Sequence, residues 1–387
     1  MNFKFGEPEE QEEDYLEVLK ICFIDAFRTH FAKLVLGVTF VNIIGLTLLQ
    51  TYFSINSFST TQFLKYAPIY FGRFHVLVCV IFIWHHINVT HKLFAKIPRW
   101  SYNTIGKIYN SKVKRNALYT NMFVAFITLA GFGCAVLYAI PTDKDEEIFF
   151  ILSWFEENML EWADIFSLGH RLSFLFVSVI MQAPSIQICY IVKQTQYQLG
   201  IVKIILENIH QGFDNLDTLI LDDNFQKEMK KRLVFCVERH INLVIIGKNL
   251  VKEAGVFVFL LAVTGAMWGV SLMMFFYVTE DTPTFVNVRL CALIFVSTIT
   301  GILYVIQGQN IQDVSEECFQ TVSQMDWYYW NEENKRIYQI MFLNCFNPFT
   351  IKFSENLTVN YKLGIELAKA VYSMMSFMTY VSDKIKK

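Results

Sequence analysis

The sequence predicts an all-α membrane protein with seven transmembrane helices, its N-terminus cytoplasmic and its C-terminus extracellular, and three observations carry that reading. Of the 387 residues 54% are hydrophobic and 18% charged, with 37 Phe and only 7 Pro, too apolar a balance for a chain of this size in water. Six runs reach the roughly 20 residues that a hydrocarbon core of about 30 Å requires. The connections between them alternate in charge, as they must if every second one lies in the cytoplasm.

Residues 1–33 contain EPEEQEEDYLE, acidic and without the basic and apolar regions of a signal peptide. They read as a cytoplasmic segment, and the first span serves as its own signal. Spans one to four fall at 34–50, 67–85, 117–140 and 172–192, which makes 34–192 the first membrane unit. Loop 86–116 holds seven Lys/Arg and no acid, whereas loop 141–170 holds Lys144 alone against eight Asp/Glu. The first is placed inside and the second outside.

Segment 193–253 carries nine Lys/Arg and is also placed inside. It is too long for a simple connection. YQLGIVKIILENIHQGFDNL and KEMKKRLVFCVERHINLVIIGKNLVKEAGVF space their apolar residues as helices do, so spans four and five are expected to continue into the cytosol as amphipathic extensions. Spans five and six, at 254–278 and 287–307, form the second membrane unit, 254–307. GQNIQDVSEECFQTVSQMDWYYW then extends span six. With a short helix at 332–346 it makes 308–346 a cytoplasmic anchor domain; membrane-surface helices are the alternative, which an apolar face alone does not separate.

The last apolar region, 337–381, is too long for one span and is interrupted by Pro348 and by polar residues up to Asn356. Residues 347–387 are therefore a break followed by a final transmembrane helix. That helix carries Glu366, Lys369, Ser373, Ser376 and Tyr380 at spacings of 3, 4, 3 and 4, so these side chains line one face while Leu367, Val371, Met374 and Met378 line another. A polar stripe on a spanning helix faces water or a polar partner. Burial against neighbouring helices of the same chain is the alternative to a shared pore.

Chemistry is conspicuous by its lack of pattern. His85, His86 and His91 have no Cys or carboxylate near them in sequence and read as interfacial residues, not a metal site. The eight Cys are isolated, which points away from disulfides and zinc. No phosphate-cradling loop, nucleophile elbow or catalytic constellation is present, so neither an enzyme nor a cofactor is expected, and no feature suggests nucleic acid. NPFTI at 347–351 has Ile351 where the Asn-Pro-x-x-Tyr signature of G-protein-coupled receptors needs Tyr, and those receptors have the opposite topology. Asn88-Val-Thr and Asn356-Leu-Thr fall at a cytoplasmic edge and in the final break, so neither is expected to be glycosylated.

The last third carries a resemblance. MDWYYW at 325–330, NCFNPFTIKF at 344–353 and KAVYSMMSF at 369–377 together resemble the C-terminal signature of insect odorant receptors. Phe346 replaces a common Gln, and Met374 and Met375 stand where aromatics are usual. The pattern is that of a tuning subunit; it differs from the shared co-receptor and lacks the Thr-Tyr then Gln-Phe of the related gustatory receptors. The resemblance implies an odorant-gated non-selective cation channel subunit, assembled as a heterotetramer with the co-receptor in the plasma membrane of the sensory dendrite, with the final helices around one pore. It places Phe377 and Val381 at a hydrophobic gate beside the polar stripe. It places a volatile odorant against Tyr70, Phe71 and Phe74, against Gly131, Cys134 and Tyr138, against Leu175, Phe176 and Val179, and against Leu290, Leu293 and Ile294. The rival readings are a seven-helix chemoreceptor that signals through a partner without conducting, and a gustatory-type receptor channel; a transporter would need an internal repeat, and none is seen.

Overall fold

The structure is a computed structural model. It describes residues 14–94, 100–102, 106–142, 145, 148–213, 219–278, 284–347, 349–352 and 358–385, and their side chains except those of 86–94, 160, 250–254, 277–278, 375 and 378–385. Pro348 and Asn356, on which the expected break rests, lie outside the described residues, as does the side chain of His86. The described elements are helical apart from one isolated antiparallel bridge between Lys352 and Thr358.

In chain order the helices are α1 (Glu17–Lys20), α2 (His30–Asn56), α3 (Thr60–Phe94), α4 (Lys107–Ala139), α5 (Phe150–Met159), α6 (Ala163–Glu207), α7 (Asp223–Val278), α8 (Thr284–Ser323), α9 (Glu332–Phe346) and α10 (Tyr361–Ile385). Six of them, α2, α3, α4, α6, α7 and α8, contain stretches long and apolar enough to cross a membrane. The more polar α10 is the seventh of the bundle. Local chemistry sets two of the starts. Thr29 Oγ1 accepts from the Ala32 amide at 3.2 Å ahead of α2; Asn331 Oδ1 accepts from the Asn334 amide at 2.9 Å ahead of α9, whose first turn holds Glu332 and Glu333 against the helix dipole.

Helix α7 has 56 residues, α6 has 45 and α8 has 40. At 1.5 Å per residue α7 runs roughly 84 Å, well beyond a hydrocarbon core of about 30 Å. The surplus length of the three, with α9, builds a layer at one end of the bundle. There Asn334, with no exposure, donates to the backbone and side-chain oxygens of Gln226 at 2.9 Å each. The buried Trp330 indole donates to His210 Nε2 at 3.1 Å. Burial pulls His210 below its ordinary pKa against the opposing field of Asp326, so the ring stays neutral and able to accept. Burial likewise pushes His240, against Cys345, down to about 4.

The segment ahead of α2 is folded onto the bundle. Leu16, Leu19, Phe23, Ile24 and Phe27 are buried, and Asp14 accepts from Tyr190 at 2.6 Å and from Gln194 at 2.5 Å, both on α6. At the opposite end, the acidic loop expected from the sequence contains α5, whose Ile151, Leu152 and Phe155 are buried beside Tyr138, Phe275 and Leu290 in a second hydrophobic cluster.

The approach to α10 is pinned to α8. A Cβ on Gly308 would stand 2.1 Å from the Val359 carbonyl oxygen, so only glycine lets that backbone lie where it does. The Phe349 amide donates to Ser315 Oγ at 2.8 Å and the Tyr361 amide to Gln309 Oε1 at 3.2 Å.

Candidate ligand cavity and exposed final helix

Between the membrane helices lies a cavity of about 1710 Å³ that every one of the seven helps to line. Most of the lining is apolar. Near α5 it includes Arg73, Tyr138 and His170; deeper it passes Gln182, Trp268 and Tyr304; and it ends against Leu363, Leu367, Ala370, Val371 and Met374 of α10.

Two close packings shape the walls. Gly131 makes room for Gln182, whose amide nitrogen would be 1.7 Å from a Cβ there. The Trp268 ring stacks on His75 at 5.6 Å, and Gly72 leaves space for its indole nitrogen at 3.1 Å. The Gln182 amide nitrogen reaches Ser178 Oγ at only 3.4 Å, and its Oε1 has no partner among the described residues.

Above the cavity a buried charge cluster ties three elements together. Asp145 accepts from Arg289 at 2.5 Å and from Arg171, while Thr142 donates its hydroxyl at 2.5 Å and its amide at 3.0 Å. Arg289 also donates to the carbonyls of Leu137, at 2.8 Å, and Ile140 at the end of α4. Burial alone would raise the Asp145 pKa; the hydrogen bonds from Thr142, Arg171 and Arg289 outweigh it and hold the group below the ordinary carboxylate value. The cluster staples the loop before α5 to α6 and α8.

Of the twelve ligand positions expected from the resemblance, Gly131, Cys134, Tyr138, Phe176, Leu293 and Ile294 line this cavity. Tyr70, Phe71, Phe74, Leu175, Val179 and Leu290 are not in its lining. Tyr70, Phe71 and Phe74 pack on one another and, with Phe63, form an aromatic cluster along α3; Leu290 is buried in the cluster around α5. The cavity is also walled by α2 and α7, from which the resemblance names no residue. Arg73 and His170, inside or beside otherwise apolar spans, were passed over, although an ionisable residue in such a place is itself a signal.

On α10 the side chains of Glu366, Lys369, Ser373, Ser376 and Phe377 are exposed, Phe377 at 65%. Met374, half-buried, lines the cavity with Leu367 and Val371, which are themselves exposed at the surface. The side chains of Tyr380 and Val381 lie outside the described residues.

A bundle of six helices apolar enough to cross a membrane and a seventh, around a large, mainly apolar cavity with a few polar groups, has the form of a small-molecule binding site in a membrane protein. A family profile described as 7tm Odorant receptor matches residues 59–372. The chain belongs to that family, one of receptors and not of enzymes. Its fold is similar to that of the insect olfactory receptor OR5 from Machilis hrabei, both in its complex with eugenol, at a TM-score of 0.70 and 11% identity over 95% of this chain and 97% of that one, and alone, at 0.69 and 11% over 95% and 96%. A search of curated proteins returns no match.

Proposed function

We propose that this chain is the odorant-binding subunit of a ligand-gated, non-selective cation channel, assembled with a co-receptor as a heterotetramer in the plasma membrane of a sensory dendrite. The observation that carries the reading is the two-sidedness of α10. Leu363, Leu367, Ala370, Val371 and Met374 border one end of the cavity, Leu367 and Val371 remaining 52% and 43% exposed, while the polar residues from Glu366 to Ser376 on the other face are exposed as well. A polar face inside a bilayer needs water or another polar surface; the same face on several subunits around an axis encloses an aqueous path. An odorant in the cavity then bears directly on the back of the pore helix.

In this reading α5 lies outside the cell and α9 in the cytoplasm, as the loop charges require, with the N-terminus inside and the C-terminus outside. Trp327, Tyr328, Ile340, Leu343 and Phe346 are exposed around α9, an apolar surface suited to contact between subunits. Phe377 and Val381 form the hydrophobic constriction.

Co-expression with a co-receptor in cells lacking the relevant G-protein signalling tests the reading. Odorant-evoked cation current that requires both chains is expected. Odorant responses that appear only once G proteins are supplied, with no conductance in their absence, would replace it with the non-conducting chemoreceptor.

A further inference from the structure

The cavity holds an unbalanced charge. Among its described lining residues the one fixed charge is Arg73, and no carboxylate is present. Arg73 is 7% exposed. Its Nη1 donates to Gln50 Oε1 at 2.7 Å and to the Leu46 carbonyl at 3.3 Å, both on α2; among the described residues Nε and Nη2 have no hydrogen-bond partner and no acid pairs with the group. Asp145, the acid of the charge cluster before α5, is shared by Arg171 and Arg289.

Two further polar side chains in the same wall are unpartnered. His170 is 8% exposed, and neither ring nitrogen has a hydrogen bond. It lies within electrostatic reach of Arg73 and Arg171 and packs on Phe149 and Phe174 at 6.1 and 5.2 Å. Tyr138 packs on the same two rings at 6.0 and 5.5 Å, and its buried hydroxyl is also without a partner. An arginine with Nε and Nη2 free, an imidazole and a phenol thus border one end of a mainly apolar chamber, with donors for which the described residues supply no acceptor. Buried polar groups left this way are costly unless something satisfies them.

We propose that the ligand is an apolar chain ending in a carbonyl-type acceptor oxygen, a carboxylate above all, with that oxygen on Arg73 and flanked by His170 and Tyr138. The proposal rests on the odorant-binding reading and specifies the chemistry of the same site. A guanidinium is suited to a carboxylate by charge and by its forked geometry. The hydrocarbon tail then lies along the wall toward Gln182, Trp268 and α10. A cationic ligand head is disfavoured, because among the described lining residues no acid offsets Arg73.

The test is a panel of one chain length, as alkane, primary amine, aldehyde and carboxylic acid, applied to the full chain co-expressed with a co-receptor. Acid and aldehyde are expected to activate at concentrations at least tenfold below alkane and amine. Arg73→Gln is expected to raise the half-maximal acid concentration by tenfold or more while leaving the alkane response unchanged, and Arg73→Lys, which keeps the charge but not the fork, to recover part of the loss. Surface biotinylation confirms that each variant reaches the membrane, and the wild-type panel decides by itself should Arg73→Gln fail to do so. Equal or stronger activation by alkane or amine would overturn the proposal while leaving the odorant-receptor reading intact. So would an Arg73→Gln loss of equal size for every ligand, which marks Arg73 as a strut between α2 and α3. If volatiles across many classes evoke nothing in the wild type, the functional reading fails and takes this inference with it.

Discussion

Replacing Asp145 by Asn removes one negative charge and almost no volume from the most buried ionic cluster among the described residues. The Asp145 side chain is 3% exposed and that of Arg289 is not exposed at all. The amide keeps an acceptor for Thr142 or for one guanidinium, but Arg171 and Arg289 are left to repel each other with no anion between them. Breaking a buried pair in this way costs about 3–5 kcal/mol, which at 1.4 kcal/mol per decade is a factor of roughly 10² to several thousand in the folding equilibrium. Thermal unfolding of the detergent-solubilised receptor, followed by fluorescence-detected gel filtration, should show a loss on the order of 5 °C. Asp145→Glu should lose less, and Asp145→Asn with Arg289→Met should recover part of the loss, since Arg171 is 13% exposed and can turn to water. The Asp145 pKa is depressed below 3.8, so its contribution is complete above that value and is lost only as pH falls through the still lower folded value. Stability should therefore be flat from pH 7 to 5 as far as this group is concerned. An Asn variant at least as stable as the native chain would refute the assignment of Asp145 as the anion that holds α5, α6 and α8 together.

Three other outcomes follow from the packing. Gly131→Ala puts a Cβ 1.7 Å from the Gln182 amide; because that amide ends a flexible side chain, the receptor should fold and reach the surface, with its ligand ranking altered by roughly tenfold in half-maximal concentration. Gly308→Ala meets backbone at 2.1 Å, so α10 should lose its seat on α8 and evoked current should fall severely at normal surface density. Phe377→Ser should wet the constriction and raise current without odorant, whereas Met374→Ala, on the cavity face, should leave basal current near normal; the reverse pattern in patch-clamp recordings would mean that α10 is rotated.

How much of this was legible depended on how local the signal was. Spans of 17–25 apolar residues announce themselves by length, and the 3.6-residue pattern carried α6, α7 and α8 past the membrane. Helix α9 falls at 332–346 as expected, because Asn331 caps it and the apolar residues that follow keep a helical spacing. Helix α5 went unread because eight acids in loop 141–170 made charge the dominant feature and hid the amphipathic run FILSWFEENM. The Asp145–Arg289 pair joins residues 144 apart in sequence, which no local pattern reports. Arg289 and Arg73 did carry a readable warning, as charges within apolar spans, and it pointed to the cluster and to the cavity wall. The ligand positions were placed by resemblance alone, and six of the twelve lie outside the cavity lining, because a resemblance between variable helices carries no register for the face each one turns inward.

The central claim is that ligand in the cavity opens a pore lined by α10. The most direct test is the purified complex with a co-receptor in a planar lipid bilayer, with no nucleotide and no G protein, while an activating odorant is added. Discrete unitary cation currents that appear with odorant, and whose open probability without odorant rises for Phe377→Ser, are the predicted result. Saturable odorant binding in the same preparation, read by quenching of tryptophan fluorescence, with no conductance at any concentration would contradict it.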